Sequence, residues 1–430
     1  MPTRRDIPLT AELRSVLAAC RRLVSERGEA MGPLLAYDIA GRIAALPEPQ
    51  RERFFDRLAS DFSPDPAAVL AATQAYADAP GAESLIRLTR LAEPPRQELF
   101  RRLNRAAGGT AAIIDLRRAL LEKLARHPAW RAVEADLLHL LSSWFNPGFL
   151  EMRKVDWNSP AQLLEQIIRH EAVHQIDGWD DLRRRLQPDR RCFAFFHPQL
   201  PDEPLIFVEV ALLPEMAGAI APLIDKHSTP LAPEQFKVAL FYSISNCQPG
   251  LRGVSLGNFL IKRVAEELKR ELPQLKIFCT LSPIPGLLAW LGTLRDASAL
   301  LGLPQPVGER IVSALGTLRL ACDEELTRLA HAGSLQRLNA DAHHALWRLA
   351  AHYLVHASPR VGGDPVARFH LDNGAKLERL NAHANLSSRG LKESAGMMVN
   401  YVYDLARIET HHDRFVHGKV AHSRAVSALL

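Results

Sequence analysis

The sequence predicts two parts: an N-terminal all-α helical bundle over residues 1–146, then a part over 147–430 of α+β or α/β class. The second part is expected to be a mixed sheet with flanking helices and a helical insertion at about 286–359. Three observations carry this. Apolar residues recur at spacings of three and four from Thr10 to about Trp144. Short runs rich in Val, Ile and Phe begin only after that point, and 430 residues is too long for one ordinary core.

In the first part, "AELRSVLAACRRLV", "RERFFDRLASDF", "ESLIRLTRLA" and "AAIIDLRRALLEKLARH" read as amphipathic helices, broken at "LPEPQ", "SPDP", "DAPG" and "AAGG". No catalytic constellation occurs there, so the region is expected to serve packing or assembly. After "WFNPGF", four runs read as strands: "RCFAFF" (191–196), "LIFVEVALL" (205–213), "KVALFYSI" (237–244) and "KIFCTL" (276–281). The helix "NFLIKRVAEELKREL" lies between the last two. From Gly286 to Pro359 the pattern is helical again, and a polar segment beginning "ARFHLDNGAKLERLNAHANLSSRG" follows.

Composition narrows the function classes. An apolar share of 47% with 23% charged residues is that of a globular protein, and no run of eighteen apolar residues predicts a membrane span. The Arg-rich N-terminus carries Asp6, Glu12 and Glu26, which suits a first amphipathic helix better than a transit peptide. Five scattered cysteines with no CxxC pair predict neither a disulfide framework nor a cysteine zinc site. They point to a reduced, intracellular protein. The net charge of +5 is spread along helices, which argues against nucleic acid and suits a phosphorylated small molecule.

"RHEAVHQIDGWDD" contains His170-Glu171-Ala172-Val173-His174, the H-E-x-x-H pattern that binds zinc when both histidines share a helix face. Asp180 stands where a third ligand would fall, but position 177 is Asp177 and the glycine has slipped to Gly178. The later stretch where a glutamate ligand would lie reads as an arginine pair and a strand. A zinc peptidase is therefore the remote reading, and the motif is taken as a coincidence.

The richest unit is "KVALFYSISNCQPGLRGVSLGNFLIKRVAEELKREL", residues 237–272, a strand running into a glycine-bearing loop and then a long helix. Converging backbone N–H groups and a helix N-terminus form a recipe for holding a pyrophosphate. It is neither the Walker nor the Rossmann pattern. Taken alone, such a turn is as often only a tight connection. Arg252-Gly253-Val254-Ser255-Leu256-Gly257 resembles the Q/R-x-x-G-x-G/A loop of the GNAT acyl-CoA-binding fold, with Ser255 where glycine is usual. "EAVHQIDGWDDLRRRL", "RRCFAFFHP", "FYSIS", "QPGLRGVSLGNFLIKRV", "SPIPGLLAWL" and "ARFHLDNGAKLERLN" extend this over nearly all of residues 140–405. Together they resemble the malonyl-CoA decarboxylase family, a helical domain followed by a GNAT-like catalytic domain.

The resemblance implies that Ser282 and His370 are catalytic. It also implies that Arg252, Gly253, Val254, Ser255, Leu256, Gly257 and Asn258 form the coenzyme A loop. Without it, Ser282 before a proline reads as a turn residue and His370 between Phe369 and Leu371 as packing. The chemistry agrees with the implied roles. Loss of CO2 from a malonyl thioester leaves an enolate that a histidine can protonate, while a serine orients the carboxylate or the histidine. No cofactor or metal is expected, because the thioester is the electron sink. Tyr242, Ser243 and Ser245 are expected near the pantetheine arm. Asn373, Gly374, Arg379, Asn381, His383 and Asn385 are expected to line or buttress the site, and Cys247 and Cys279 to be buried packing residues.

The expected ligands are malonyl-CoA and acetyl-CoA, with self-association as a dimer or tetramer. The C-terminus "AVSALL" is not the peroxisomal address, so the cytoplasm is expected. The rival is a GNAT-type N-acyltransferase, which needs an open acceptor cleft where this chain has its helical insertion. A helical interaction protein with a degenerate GNAT domain would bind acyl-CoA without turnover.

Overall fold

The computed structural model describes residues 9–25, 32–254, 256, 260–294, 305–359 and 362–430. The chain divides into two compact units. One is Met1–Glu151 with Phe196–Glu203 and Gln248–Leu256, and the other is Met152–Phe195, Pro204–Cys247 and Gly257–Leu430.

The first unit is helical, as its periodicity predicts. Thr10 accepts a hydrogen bond from the Leu13 N–H and so caps the helix Ala11–Val24, which buries Leu13, Val16, Leu17, Cys20 and Leu23. The core continues through Phe54, Phe55, Phe100 and Trp130, all nearly free of solvent. Two polar ties cross it: Arg96 to Asp136 at 2.5 Å, and Trp130 Nε1–H to Asp56 at 2.9 Å. The helices Pro66–Asp78 and Ala82–Ala92 pack mainly on each other and leave Leu70, Leu85 and Ile86 exposed.

The second unit carries an eight-stranded sheet, ordered β1-β2-β3-β4-β5-β8-β6 with β7 on β8. The strands are β1 Glu151–Val155, β2 Arg190–Phe196, β3 Ile206–Leu213, β4 Val238–Asn246, β5 Ile277–Thr280, β6 Ser282–Pro283, β7 Lys376–Asn381 and β8 Met398–Val402. β2, β3 and β4 are antiparallel, whereas β4 and β5 run parallel. The helix Leu260–Glu271 makes the crossover that a parallel pair requires. Every residue of β3 is buried, which is why this strand reads as an apolar run broken only by Glu209, whose carboxylate accepts from Arg185 at 2.9 Å. The insertion is helical, with Leu287–Thr293, Gln305–Ala321, Ala340–His352 and one π turn, Tyr353–Ala357. The polar segment after it supplies β7 and β8, two strands that the sequence reading does not assign.

One sheet face is an apolar cluster that includes Ala211, Leu240, Tyr242, Cys279, Leu281 and Met398. Side chains alternate across a strand, so Thr280 and Ser282 point to the opposite face from Cys279 and Leu281.

Candidate active site

The loop expected to hold coenzyme A lies in the helical unit, where a single arginine braces it. Arg117 on the helix Gly109–Lys123 is fully buried. It donates to the Gly250 carbonyl at 2.6 Å, the Arg252 carbonyl at 2.7 Å and the Glu134 carboxylate at 2.7 Å. Gly250 is held so close that a Cβ there would sit 2.1 Å from the Ile114 carbonyl oxygen. Gly253 takes φ +85°, which disfavours a side chain. The backbone at 250–253 is thus fixed from below while the Arg252 side chain is exposed and Val254 and Leu256 are buried. Ser255, Gly257 and Asn258 lie outside the described residues.

In the sheet unit, Ser282 and His370 meet. His370 sits on the helix Pro365–Asp372, and its Nε2 is 2.9 Å from Ser282 Oγ. Ser282 Oγ donates to Thr280 Oγ1 at 2.9 Å, two residues back on the same face. Nδ1 of His370 is 2.8 Å from the Tyr403 hydroxyl. With Ser282 donating to Thr280, the assignment that satisfies every group runs one way. Tyr403 O–H donates to Nδ1, and Nε2–H donates to Ser282 Oγ. The Tyr401 ring stacks on the imidazole at 4.7 Å. His370 is 3% exposed and Ser282 5%. Burial pushes the His370 pKa down to about 3, so the ring is neutral at rest.

The polar residues after His370 mostly buttress this face. Asn400 Nδ2–H donates to the Thr280 carbonyl at 2.8 Å, and its Oδ1 accepts from Asn381 at 2.8 Å and Arg379 at 3.2 Å. Asn373 closes the histidine helix by donating to the Phe369 carbonyl at 2.7 Å, Gly374 holds φ +76°, and Asn385 accepts from the Ser387 N–H. His383 is exposed. Sequence reading missed Thr280, Tyr403 and Arg117. Tyr403 and Arg117 act on residues distant in the chain, and Thr280 comes beside Ser282 only through strand alternation.

The residues ending β4 have partners within the fold. Tyr242 is buried in the apolar cluster. The hydroxyls of Ser243 and Ser245 donate to Glu171 at 2.7 and 3.1 Å. The helix carrying His170 ends at that residue, and Glu171 is already extended at φ −65°, ψ 108°. Its carboxylate also accepts from the backbone N–H of Val173 at 2.9 Å and of His174 at 2.7 Å. The two histidines therefore do not share a helix face, and the glutamate clamps a turn onto β4. Burial, with Arg185 and Arg389 nearby, pushes the His174 pKa down to about 4. Among the described residues no group of three or more His, Cys, Asp or Glu side chains could hold a metal. Cys247 and Cys279 are buried, as expected, and burial raises both thiols.

Comparison with known proteins agrees with the motifs. Residues 148–430 match the family model of the malonyl-CoA decarboxylase C-terminal domain, and residues 62–145 that of its N-terminal domain. The mitochondrial malonyl-CoA decarboxylase of Anser anser anser is 40% identical over 324 residues, 73% of this chain and 64% of that protein. The chain spans just under two thirds of the length of the curated relatives it matches. The solved malonyl-CoA decarboxylase of Rhodopseudomonas palustris is 45% identical with a TM-score of 0.86, covering 98% of this chain and 100% of its own. That of Agrobacterium vitis is 44% identical with a TM-score of 0.84, covering 96% and 99%. On this likeness over both its parts, the chain belongs to the malonyl-CoA decarboxylase family.

Proposed function

We propose that the protein is a carboxy-lyase that converts malonyl-CoA to acetyl-CoA and CO2. The observation that carries the reading is the buried hydrogen-bond chain from Tyr403 through neutral His370 to Ser282 and Thr280. The Arg252–Asn258 loop grips the coenzyme A pyrophosphate, and Ser282 turns the malonyl carboxylate out of the thioester plane. A carboxylate entering so dry a site raises the pKa of the adjacent imidazole, so substrate binding draws a proton onto His370. The carboxylate then leaves as CO2, and the electrons of the broken C–C bond become the enolate. The α-carbon takes the imidazolium proton, which leaves neutral product and neutral histidine. Carboxylate and imidazolium, then enolate and imidazolium, then two neutral species keep the site close to zero net charge throughout. The thioester serves as electron sink, so the reading calls for no cofactor.

The reading includes self-association as a dimer or tetramer, supported by the exposed Leu70, Leu85 and Ile86 on two helices packed mainly on each other. No helix among the described residues is long and apolar enough to cross a membrane. Five buried free thiols suit a reducing compartment, which we take to be the cytoplasm, although the curated relatives bear "mitochondrial" in their names.

Metal-stripped protein should still convert malonyl-CoA to acetyl-CoA and CO2, followed by mass, in the presence of a chelator. His370→Asn should lose kcat far more than KM, because the proton moves only in the chemical steps. Tight acyl-CoA binding without turnover would overturn the reading and point to acyl transfer.

A further inference from the structure

Ser282 and His370 come from segments 88 residues apart, with the whole helical insertion between them. Their 2.9 Å contact depends on what ties those segments together. Asp364, immediately before the histidine helix, is completely buried. Its Oδ1 accepts from the Val366 N–H at 3.0 Å and the Ala367 N–H at 2.9 Å, capping the helix Pro365–Asp372. Its Oδ2 accepts from the Gly286 N–H at 3.0 Å and from the Tyr353 hydroxyl at 3.4 Å. Gly286 lies four residues after Ser282, at the turn leaving β6, and Tyr353 opens the π turn of the insertion.

We infer that Asp364 is the positioning residue of the catalytic pair, holding the Ser282 segment with one carboxylate oxygen and the His370 helix with the other. The inference rests on the proposed roles of Ser282 and His370. Three features support it. An eight-residue helix cannot hold its own direction in isolation, so the ring's placement depends on its cap and packing. His370 lies six residues beyond Asp364, and at about 1.5 Å per residue a tilt at the cap is carried roughly 9 Å to the imidazole. Gly286 is packed for this contact: a Cβ there would fall 2.1 Å from the Tyr353 hydroxyl and 3.3 Å from Asp364 Oδ2. An apolar residue at 364 would leave three backbone N–H groups without their acceptor, so the carboxylate is matched to this place.

The test uses the full-length protein with Asp364→Asn, which is nearly isosteric and can keep an oxygen on the helix cap. Its amide nitrogen then faces the Gly286 N–H, a donor against a donor. Misplacement by about 1 Å is enough to cost on the order of a hundredfold in rate. We expect kcat for malonyl-CoA to fall at least about tenfold while KM stays within about threefold, with partial rescue in Asp364→Glu. The His370 ring N–H resonance in 15N NMR should lose the shift of its bond to Ser282. Tyr353→Phe, which deletes only the longest of the four bonds, should stay within about threefold of wild type. A folded Asp364→Asn with wild-type kcat, or with lost kcat and an unchanged ring resonance, overturns the inference. If Asp364→Asn does not fold, Gly286→Ala made together with Tyr353→Phe, which removes the hydroxyl 2.1 Å from the new Cβ and leaves that Cβ 3.3 Å from Asp364 Oδ2, carries the same test. Ser282→Ala and His370→Asn are measured alongside. If they turn over normally, the reading of the pair has failed, whatever Asp364 does.

Discussion

Glu171 offers a sharp test, because the two readings of H-E-x-x-H demand opposite results from one pair of variants. In the fold the carboxylate accepts from two backbone N–H groups, Val173 and His174, and from the hydroxyls of Ser243 and Ser245. Glu171→Ala leaves the buried His174 N–H and the half-buried Val173 N–H without an acceptor, at about 1–3 kcal/mol for the first and about 1 kcal/mol for the second. The two hydroxyls lie 3.2 Å apart and can bond to each other, so they add little. The expected loss is about 3 kcal/mol, large for a single substitution. Glu171→Gln keeps one oxygen for the two N–H groups and offers its amide to two hydroxyls that can turn to accept it. It should cost about 1 kcal/mol, the difference between a charged and a neutral acceptor. Urea unfolding followed by circular dichroism gives both midpoints, and turnover of malonyl-CoA is read on the same preparations. Turnover should survive in the glutamine variant, whereas a zinc peptidase would lose its general base equally in both. An alanine variant within about 1 kcal/mol of wild type, or a glutamine variant no more stable than it, would refute the clamp.

Arg117→Met should loosen the loop at Gly250 and Arg252. It should weaken coenzyme A binding by calorimetry roughly tenfold, with kcat at saturation within about threefold. Acid should destabilise the protein through His370, His174 and His352, whose pKa values burial pushes down to about 3, about 4 and about 4. Each ring is neutral in the fold and takes a proton on unfolding below about pH 6.5, so stability is full above that pH and falls toward pH 3–4. Replacing His352 with Leu should flatten this slope in pH-dependent melts, and an unchanged slope would remove it from the account. Tyr403→Phe removes the partner of Nδ1 and should lower kcat about tenfold, with the ring N–H signal shifted; an unaltered kcat would mean that the hydroxyl is not needed to orient the imidazole.

The legible strands were those that the fold buries on both faces. β2 to β5 carry Val, Ile, Leu and Phe in dense runs, and the buried polar residues among them are paired, as Glu209 is with Arg185 and Ser243 with Glu171. β7, "KLERLN", is half-exposed and charged, so its alternation is faint, and β8 is only five residues long with Asn400 at its centre. Ser282 and His370 stood out through long motifs, yet their partners did not. Thr280 meets Ser282 by strand alternation once the strand is known, but Tyr403 reaches His370 across 33 residues and Arg117 reaches Gly250 across 133. Tertiary contacts of that span leave no trace in local spacing. The glutamate of "HEAVH" is the converse case, a pattern that is legible but broken by the helix ending one residue before it.

The bracing of the Gly250 and Arg252 carbonyls by Arg117 bears on how members of this family can be recombined. The polypeptide passes between the two units five times, at 151–152, 195–196, 203–204, 247–248 and 256–257. A crossover near residue 150 looks clean along the sequence. A chimera joined there would set one parent's arginine against the other parent's glycine loop, with its 2.6 Å bond to a foreign Gly250 carbonyl. Exchange of the N-terminal helices between relatives should therefore succeed when the loop travels with them, and fail when it stays behind.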